Sequence, residues 1–476
     1  MNETKPPRIV VIGSGITGLS CAYRLLNLSK EKKFPIELLV LEAGDRVGGV
    51  IQSVMVNDCV LELGPDAIFT EKRATIDLCK ELGLENDLIG TTPSFRHSFI
   101  VWKNKLEKVP EGFYLLAPSR IWPFLTTPLF SWRGKLRILL ETLIPRKKKF
   151  EDETLDSFVR RRLGNEALVR MAQPMVGGIY SCDPQNLSLL STFPKFLEWE
   201  FKYGSVILGL LKEMRKFKEK SFSGPRYTLF VSLKNGLETL IENLSRKLPQ
   251  DSIRLKSEVR EISLNHLQGK KFKIKGKDFE VEADALCCAL SSAQSAKILK
   301  TLDQELSIEL EKIRYGSGAT INLIYKKEEI AHPLNGFGFV VPEIEQKIIS
   351  GCTFSSVKFP GRAPLDKVVL RVFIGGKKVE TLSDLSDQEL ANAARGDLEN
   401  ILGIKAKPIS TVISHHKNAL PQYGLGHKEL VEKIRQKAAN FKGLVLAGNA
   451  YSGTGIPDCI QSGADAAEDL FKSFFK

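Results

Sequence analysis

Three glycines, Gly13, Gly15 and Gly18, stand in G-x-G-x-x-G spacing within "VVIGSGITGLS", and a carboxylate, Glu42, follows 24 residues after the last of them. That set can hold a dinucleotide. Gly13 permits a tight turn, Gly15 lets the backbone approach a pyrophosphate, and Gly18 allows close packing of the helix that follows. The backbone of Ser14, Ile16 and Thr17 completes a helix start that faces the anion. Glu42, with Ala43 beside it, stands where a ribose diol is bonded; a 2'-phosphate would be repelled there, so FAD and NAD remain and NADP is disfavoured. A second glycine turn lies more than 400 residues on, in "LAGNAYSGTGIPDCIQSG" (446–463), where Gly448, Asn449, Thr454, Gly455 and Ile456 lead into another helix. A mere cap would not require three glycines in eight residues, and a helix N-terminus suits a cofactor that gains negative charge. No Ser-His-Asp set and no CxxC pair compete with this reading.

The elements that must position these residues are legible around them. Arg8 to Ile12 is a continuous apolar run, as in a parallel strand buried on both faces, and "LSCAYRLLNL" after the turn carries Leu19, Ala22, Tyr23 and Leu26 at helical spacing. A second buried strand, "IELLVLEA", ends at the ribose-binding acid. Near the other terminus "GLVLAGNAYSGTG" reads as strand and turn, and the helix after it places Ile460, Ala464, Ala467 and Phe471 on one face with Pro457 in its first turn. Both ends of the chain are therefore expected in one sheet. Between Ser252 and Ala293 three short strands predict a meander followed by a return to that sheet. "GATINLIYKK" and "KVVLRVFIGG" suit an antiparallel floor. From about Glu71 to Lys195 the pattern is helical and broken by prolines. There "FYLLAPSRIWPFLTTPLFSW" (113–132) is followed by an amphipathic basic helix with Leu136, Leu139, Leu140 and Leu143 on one face. Such a segment is either a helical subdomain packed on the core or a monotopic membrane face, Trp at headgroup level and Lys147 to Lys149 toward acidic lipid.

At 476 residues, 43% apolar and 26% charged, the chain has enough material for two or three domains and is not disordered. Its 69 Lys and Arg exceed its 56 Asp and Glu, a net +13 that favours an anionic partner. Nucleic acid is not expected, because no helix-turn-helix, zinc-finger or RNP-like signature accompanies the scattered "KEKK", "RKKK" and "KGKD" turns. A solvated surface, an anionic membrane face or an acidic substrate accounts for the charge. Eight cysteines without CxxC or histidine at ligand spacing read as reduced and metal-free. "MNETKPPRIVVIG" has neither the apolar core nor the cleavage site of a signal peptide, and no run of 18 apolar residues exists, so a cytoplasmic location is expected, peripheral to a membrane at most. The oligomeric state stays open, a homodimer included.

"LEAGDRVGG", with Arg46, Gly48 and Gly49, resembles the flavoprotein amine oxidase superfamily and makes FAD the expected cofactor. "LELGPDAIF", with Gly64, Pro65, Asp66 and Ala67, resembles that superfamily's second flavin contact, and Val259 falls where it lays backbone against adenine. Narrower stretches resemble the oxygen-dependent porphyrinogen oxidases of haem synthesis: "PMVGGIYSCDPQNLS" (174–188), "FVSLKNGLETL" (230–240), "HKNALPQYGLGH" (416–427) and "GIPDCIQSG" (455–463). The resemblance implies an α/β fold with a FAD-binding Rossmann-type domain and β-meander (1–70, 225–295 and 415–476). With it go an antiparallel-sheet substrate domain (71–92, 196–224 and 296–414) and an inserted helical subdomain (93–195). It implies noncovalent FAD, one per chain, oxidation of a porphyrinogen by repeated two-electron steps, and dioxygen as acceptor. Aromatisation drives such a reaction, so a flat apolar slot matters more than a dedicated acid and base, and no catalytic residue is assigned. His416 and His427 are structural in the family. Some members carry an arginine for a substrate propionate where this chain has Ser98; Arg96 is a nearby substitute, and Gly178 lies in the motif expected to line the substrate. Protoporphyrinogen IX is preferred to coproporphyrinogen III, because an unpaired buried carboxylate is costly where a vinyl group is not.

Overall fold

A computed structural model of the protein describes residues 5–114, 117–220, 228–265, 271–375 and 385–474. Its first layer is a parallel sheet of five strands in the order Ile253–Arg254, Glu37–Leu41, Arg8–Ile12, Ala285–Cys288 and Leu444–Leu446. The apolar run 8–12 is wholly buried from Ile9 to Val11 because alternate side chains enter opposite cores. Ile9 and Val11 join the cluster built with the first helix (Ile16–Glu31) and the last (Ile456–Ser473), whereas Val10 and Ile12 join that of Leu286, Ile434 and the meander. The two chain termini thus meet in one sheet, and their helices pack closely enough that a Cβ on Gly463 would lie 2.3 Å from the Thr17 carbonyl oxygen. That close approach shifts the buried stripe of the last helix: Ile456, Cys459, Ile460, Gly463, Ala466, Ala467, Leu470 and Phe471 are buried, while Ala464 is only partly so.

The predicted meander is present as three antiparallel strands, Val259–Asn265, Lys271–Gly276 and Glu280–Ala283. The second large layer is a seven-stranded sheet in the order Ser410–Pro421, Tyr315–Lys326, Lys367–Gly375, Gly351–Phe354, Gly338–Val340, Phe99–Trp102 and Lys105–Lys108. Two parts of it differ from expectation. Strands 99–102 and 105–108 form its edge, although they fall within the bounds 93–195 expected for the helical subdomain, because "FIVW" is a short apolar strand that pairs parallel to Gly338–Val340. Strand 410–421 runs along Tyr315–Lys326 and so belongs to this floor. The helix Asp387–Leu402, started by a capping box between Ser386 and Glu389, packs its apolar face beneath the sheet.

Against the edge of this second sheet, at Ile100 and Val340, packs a helical cluster around Phe124, Phe130, Ile138, Phe158, Met171, Phe196 and Trp199. Its basic segment forms a helix, Trp132–Leu139, and then a 3₁₀ turn, Leu140–Leu143. Beside Ile138, which is fully buried, the segment turns polar side chains inward and apolar ones outward. Lys135 and Glu141 are buried, while Trp132 is 74%, Leu136 58% and Leu143 76% exposed. Glu141 is held inward by Arg162, whose Nε donates to it at 2.7 Å, and by the backbone N–H of Val206 at 2.9 Å. Leu115 and Leu116, within the aromatic stretch before it, lie outside the described residues.

Candidate active site

The glycine spacing does locally what the sequence suggested. Gly13 has φ +96°, a backbone conformation open to glycine, and its N–H donates to the Leu41 carbonyl at 2.8 Å, tying the turn to the neighbouring strand. A Cβ on Gly18 would stand 1.9 Å from the Gly13 carbonyl oxygen, so the helix sits directly on the turn. At Gly15 a Cβ would meet nothing within 4 Å. The N–H groups of Gly15 and Thr17 make no hydrogen bond among the described residues, while Gly15 forms a parallel bridge with Gly48. Unfilled space above a helix N-terminus with free N–H donors is what a pyrophosphate requires.

Neighbouring motifs converge on that turn. Glu42 Oε2 accepts from the Ser14 N–H at 2.8 Å and from its hydroxyl at 2.7 Å, and Oε1 accepts from the Gly44 N–H at 2.8 Å, so the carboxylate is fixed beside the cradle. Ala43 is exposed next to it. The Glu42 carbonyl accepts from the Ser257 N–H at 2.7 Å, which brings the strand that begins at Val259 alongside. Gly48 donates its N–H to the Ser14 carbonyl at 2.8 Å, and a Cβ on Gly49 would lie 3.3 Å from the Gly15 Cα, so the second glycine pair folds over the first turn. Arg46 turns inward to that loop, donating to the carbonyls of Val47 at 3.0 Å and Ile51 at 3.2 Å. Next in line, a Cβ on Gly64 would be 1.8 Å from the Val50 carbonyl oxygen, which seats Gly64, Pro65, Asp66 and Ala67 against the same loop.

The far turn is built by residues from the PQY stretch. The Tyr423 hydroxyl donates to the Asn449 carbonyl and accepts from the Gly453 N–H at 3.0 Å, and the Gly448 N–H donates to Ser462 Oγ at 3.0 Å. Thr454 and Ile456 keep free N–H groups at the start of the last helix. His427 stacks on Tyr423 at 4.3 Å, and burial lowers its pKa to about 4, so it is a neutral packing ring. His416 lies 3.5 Å from the Thr320 hydroxyl, its pKa also lowered by burial and then by Arg371.

Among the substrate-side candidates, Arg96 is exposed at the end of a 3₁₀ turn, and Ser98 is half-buried with its carbonyl taken by the Val109 N–H at 3.0 Å. Gly178 lies on the helix Gln173–Tyr180, and its surroundings fall outside the described residues. A group that the spacing of motifs did not reveal is a buried set of charges beneath Gly64 to Ala67. Lys358 Nζ stands 3.0 Å from Asp66 Oδ2, Arg362 Nη2 2.9 Å from Glu62 Oε1, and Arg371 Nη2 donates to the Gly64 carbonyl. The signal was there in "VVLRVFI", an arginine in the middle of a buried strand, which needs a partner.

No group of His, Cys, Asp or Glu among the described residues could hold a metal ion. The free N–H donors, the open face of Gly15 and the fixed acid fit a flavin dinucleotide. Among known proteins the chain is similar over its whole length to porphyrinogen-oxidising enzymes. It is 34% identical to coproporphyrinogen III oxidase of Staphylococcus aureus over 97% of this chain and 98% of that one. It is 32% identical to human protoporphyrinogen oxidase over 96% and 97%. A crystal structure from Exiguobacterium sp. 255-15, provisionally named a protoporphyrinogen oxidase, superposes with a TM-score of 0.87 at 29% identity, covering 99% of this chain and 100% of that one. The profile of the flavin containing amine oxidoreductases matches residues 16–471, and this chain belongs to that family of flavin-dependent oxidoreductases.

Proposed function

We propose that the chain holds one FAD noncovalently and oxidises protoporphyrinogen IX to protoporphyrin IX in haem synthesis, dioxygen taking the electrons. The observation that carries the reaction class is the full-length similarity to enzymes named for porphyrinogen oxidation. The flavin supplies a two-electron acceptor; the protein's part is to bind, orient and exclude water. Val259 takes the adenine end, Glu42 and Ala43 the ribose, and Gly13, Ser14, Gly15, Ile16, Thr17 and Gly18 the pyrophosphate. Gly48, Gly49, Gly64, Pro65, Asp66 and Ala67 line one side of the ring system. Gly448, Asn449, Thr454, Gly455 and Ile456 present a helix N-terminus to it, and Arg46 secures the loop between. Cys459, the thiol nearest that turn, is 9% exposed within the packing of the two terminal helices, and burial pushes its pKa up to about 11, which disfavours covalent attachment. The parallel sheet and meander form the FAD domain. The seven-stranded sheet, with strands 99–108 and 410–421 added, forms the substrate domain, and Ser98, Arg96 and Gly178 stand toward the substrate.

The apolar outward face of residues 121–143 supports protoporphyrinogen IX, the less polar porphyrinogen, delivered at a membrane surface on the cytoplasmic side. A second reading, coproporphyrinogen III, is favoured by the name of the 34%-identical relative and by the net charge of +13, which suits four carboxylates. Anaerobic mixing with each porphyrinogen while flavin absorbance is followed tests the chemistry, and no bleaching with either would refute it. The ratio of kcat/KM decides the substrate. Tenfold in favour of coproporphyrinogen III, about 1.4 kcal/mol in transition-state binding, would replace the first reading by the second.

A further inference from the structure

The charges beneath Gly64 to Ala67 do not balance. Lys358, Arg362 and Arg371 face only Glu62 and Asp66 among the described residues, and the two arginines are 2% exposed. Glu62 is occupied by Arg362, by the Ser53 hydroxyl at 2.6 Å and by the Leu237 N–H at 3.0 Å. Asp66 is taken by Lys358, and Arg371 Nη1 approaches its other oxygen only to 3.9 Å. Arg371 therefore makes one hydrogen bond, to the Gly64 carbonyl, and its Nε and Nη1 are buried without an acceptor. A guanidinium so placed is expensive to bury, because the one carbonyl, the distant Asp66 oxygen and the Phe373 ring, 5.0 Å from it, replace only part of its hydration. His416, the nearest titratable ring, is neutral and adds no counter-charge. Arg362 Nη1 is likewise buried without an acceptor, so three donors and a surplus of one positive charge await an anion.

We propose that Arg371 is a positioning residue for the flavin's redox state: the surplus charge of its cluster stabilises the negative charge that arrives on the flavin during turnover. The inference rests on the flavin reading above. Removal of a C–H hydride equivalent from the substrate would deliver two electrons and one proton to a bound flavin and would take it from neutral to singly negative. The substrate, left with one positive charge, loses it as a pyrrole N–H proton to solvent. A buried cation beside the Gly64 segment favours the charged product and raises the potential, and it would be silent in the oxidised, neutral state.

Sulfite adds to flavins to give an anionic adduct without any substrate, so its affinity and the midpoint potential read this charge directly. In the purified holoprotein Arg371→Met weakens sulfite binding about tenfold or more and lowers the potential, the scale of one unit charge acting over several ångströms of partly shielded interior. Arg371→Lys restores most of both. Asp66→Asn, which raises the surplus from one charge to two, moves both in the opposite direction. A cluster that merely holds the loop would shift Arg371→Met and Asp66→Asn the same way, or neither, and either result overturns the proposal. If Arg371→Met retains no flavin, the sign of the Asp66→Asn shift decides: tighter sulfite supports the proposal and unchanged or weaker sulfite refutes it.

Discussion

Two glycines three residues apart illustrate how differently one residue type is used. Gly18 is a packing residue, with the Gly13 carbonyl oxygen 1.9 Å from where its Cβ would be, whereas Gly15 has φ −64° and open space above it. Gly18→Ala should therefore force the first helix off its turn and lower Tm as well as flavin content. Gly15→Ala, which any L-residue could adopt at that φ, should fold with an unchanged Tm and yet purify largely without flavin, its methyl standing where the pyrophosphate lies. Thermal melts of the apoproteins beside flavin absorbance separate the two outcomes, and a Gly15→Ala protein that keeps its flavin would show that the cradle is elsewhere.

At the scale of the element, the segment Trp132–Leu143 departs from the usual rule of polarity at Lys135 and Glu141, which are buried, and at Trp132, Leu136 and Leu143, which are exposed. Arg162 and Glu141 are both fully buried, and Arg162 also donates to the carbonyls of Ile144 at 2.8 Å and Gly204 at 2.9 Å, so a polar clamp holds the segment from within. Arg162→Met leaves Glu141 as an uncompensated buried charge and should cost about 3–5 kcal/mol, read as a lowered midpoint in urea. The outward face behaves in the opposite sense. Trp122, Trp132 and Leu143 are each about three-quarters exposed, so replacing all three by Ser should leave the melt within a few degrees of the parent. The same variant should lose flotation with acidic liposomes at low salt. Binding unaffected by the triple change would mean that this face does not meet the bilayer. Among the described residues no helix is long and apolar enough to cross one.

For the molecule as a whole, one buried histidine and three half-buried ones set the acid limit. His427, at about 4 in the folded state, has its pKa depressed below the usual histidine value by burial, and His97, His332 and His416 shift the same way. The unfolded chain binds more protons than the folded one between the folded and unfolded pKa values. The stability is therefore fully present above about pH 6.5 and is lost as pH falls toward 4, by up to about 3 kcal/mol for His427 alone. Tm should drop between pH 7 and pH 5, and His427→Phe, which retains the stack on Tyr423, should flatten part of that slope. A variant that follows the parental slope would assign the acid sensitivity to other groups. Asp66, held at about 2 by Lys358 and Arg371 against the cost of burial, gives its full contribution above about pH 4 and loses it only as pH falls further toward 2.

What the sequence determined by itself was whatever depends on near neighbours in the chain. The Rossmann turn, the strand that ends in Glu42, the meander and the helix after Gly455 each follow from local periodicity and from glycine's freedom of backbone, and these are chemical facts at a spacing of a few residues. The same local reading assigned residues 99–108 to the helical subdomain 93–195, since which sheet a short apolar strand joins depends on an edge contributed by residues 338–340, far away in the sequence. It treated residues 132–143 as an amphipathic helix without telling which face would be buried; that was decided by Arg162 and Val206, which reach Glu141 from 21 and 65 residues off. Tertiary structure alone brought Lys358, Arg362 and Arg371 beneath the Gly64 turn, some 300 residues from their carboxylate partners. Charge acts through space, and no pattern along the chain records which cation will be left without an anion.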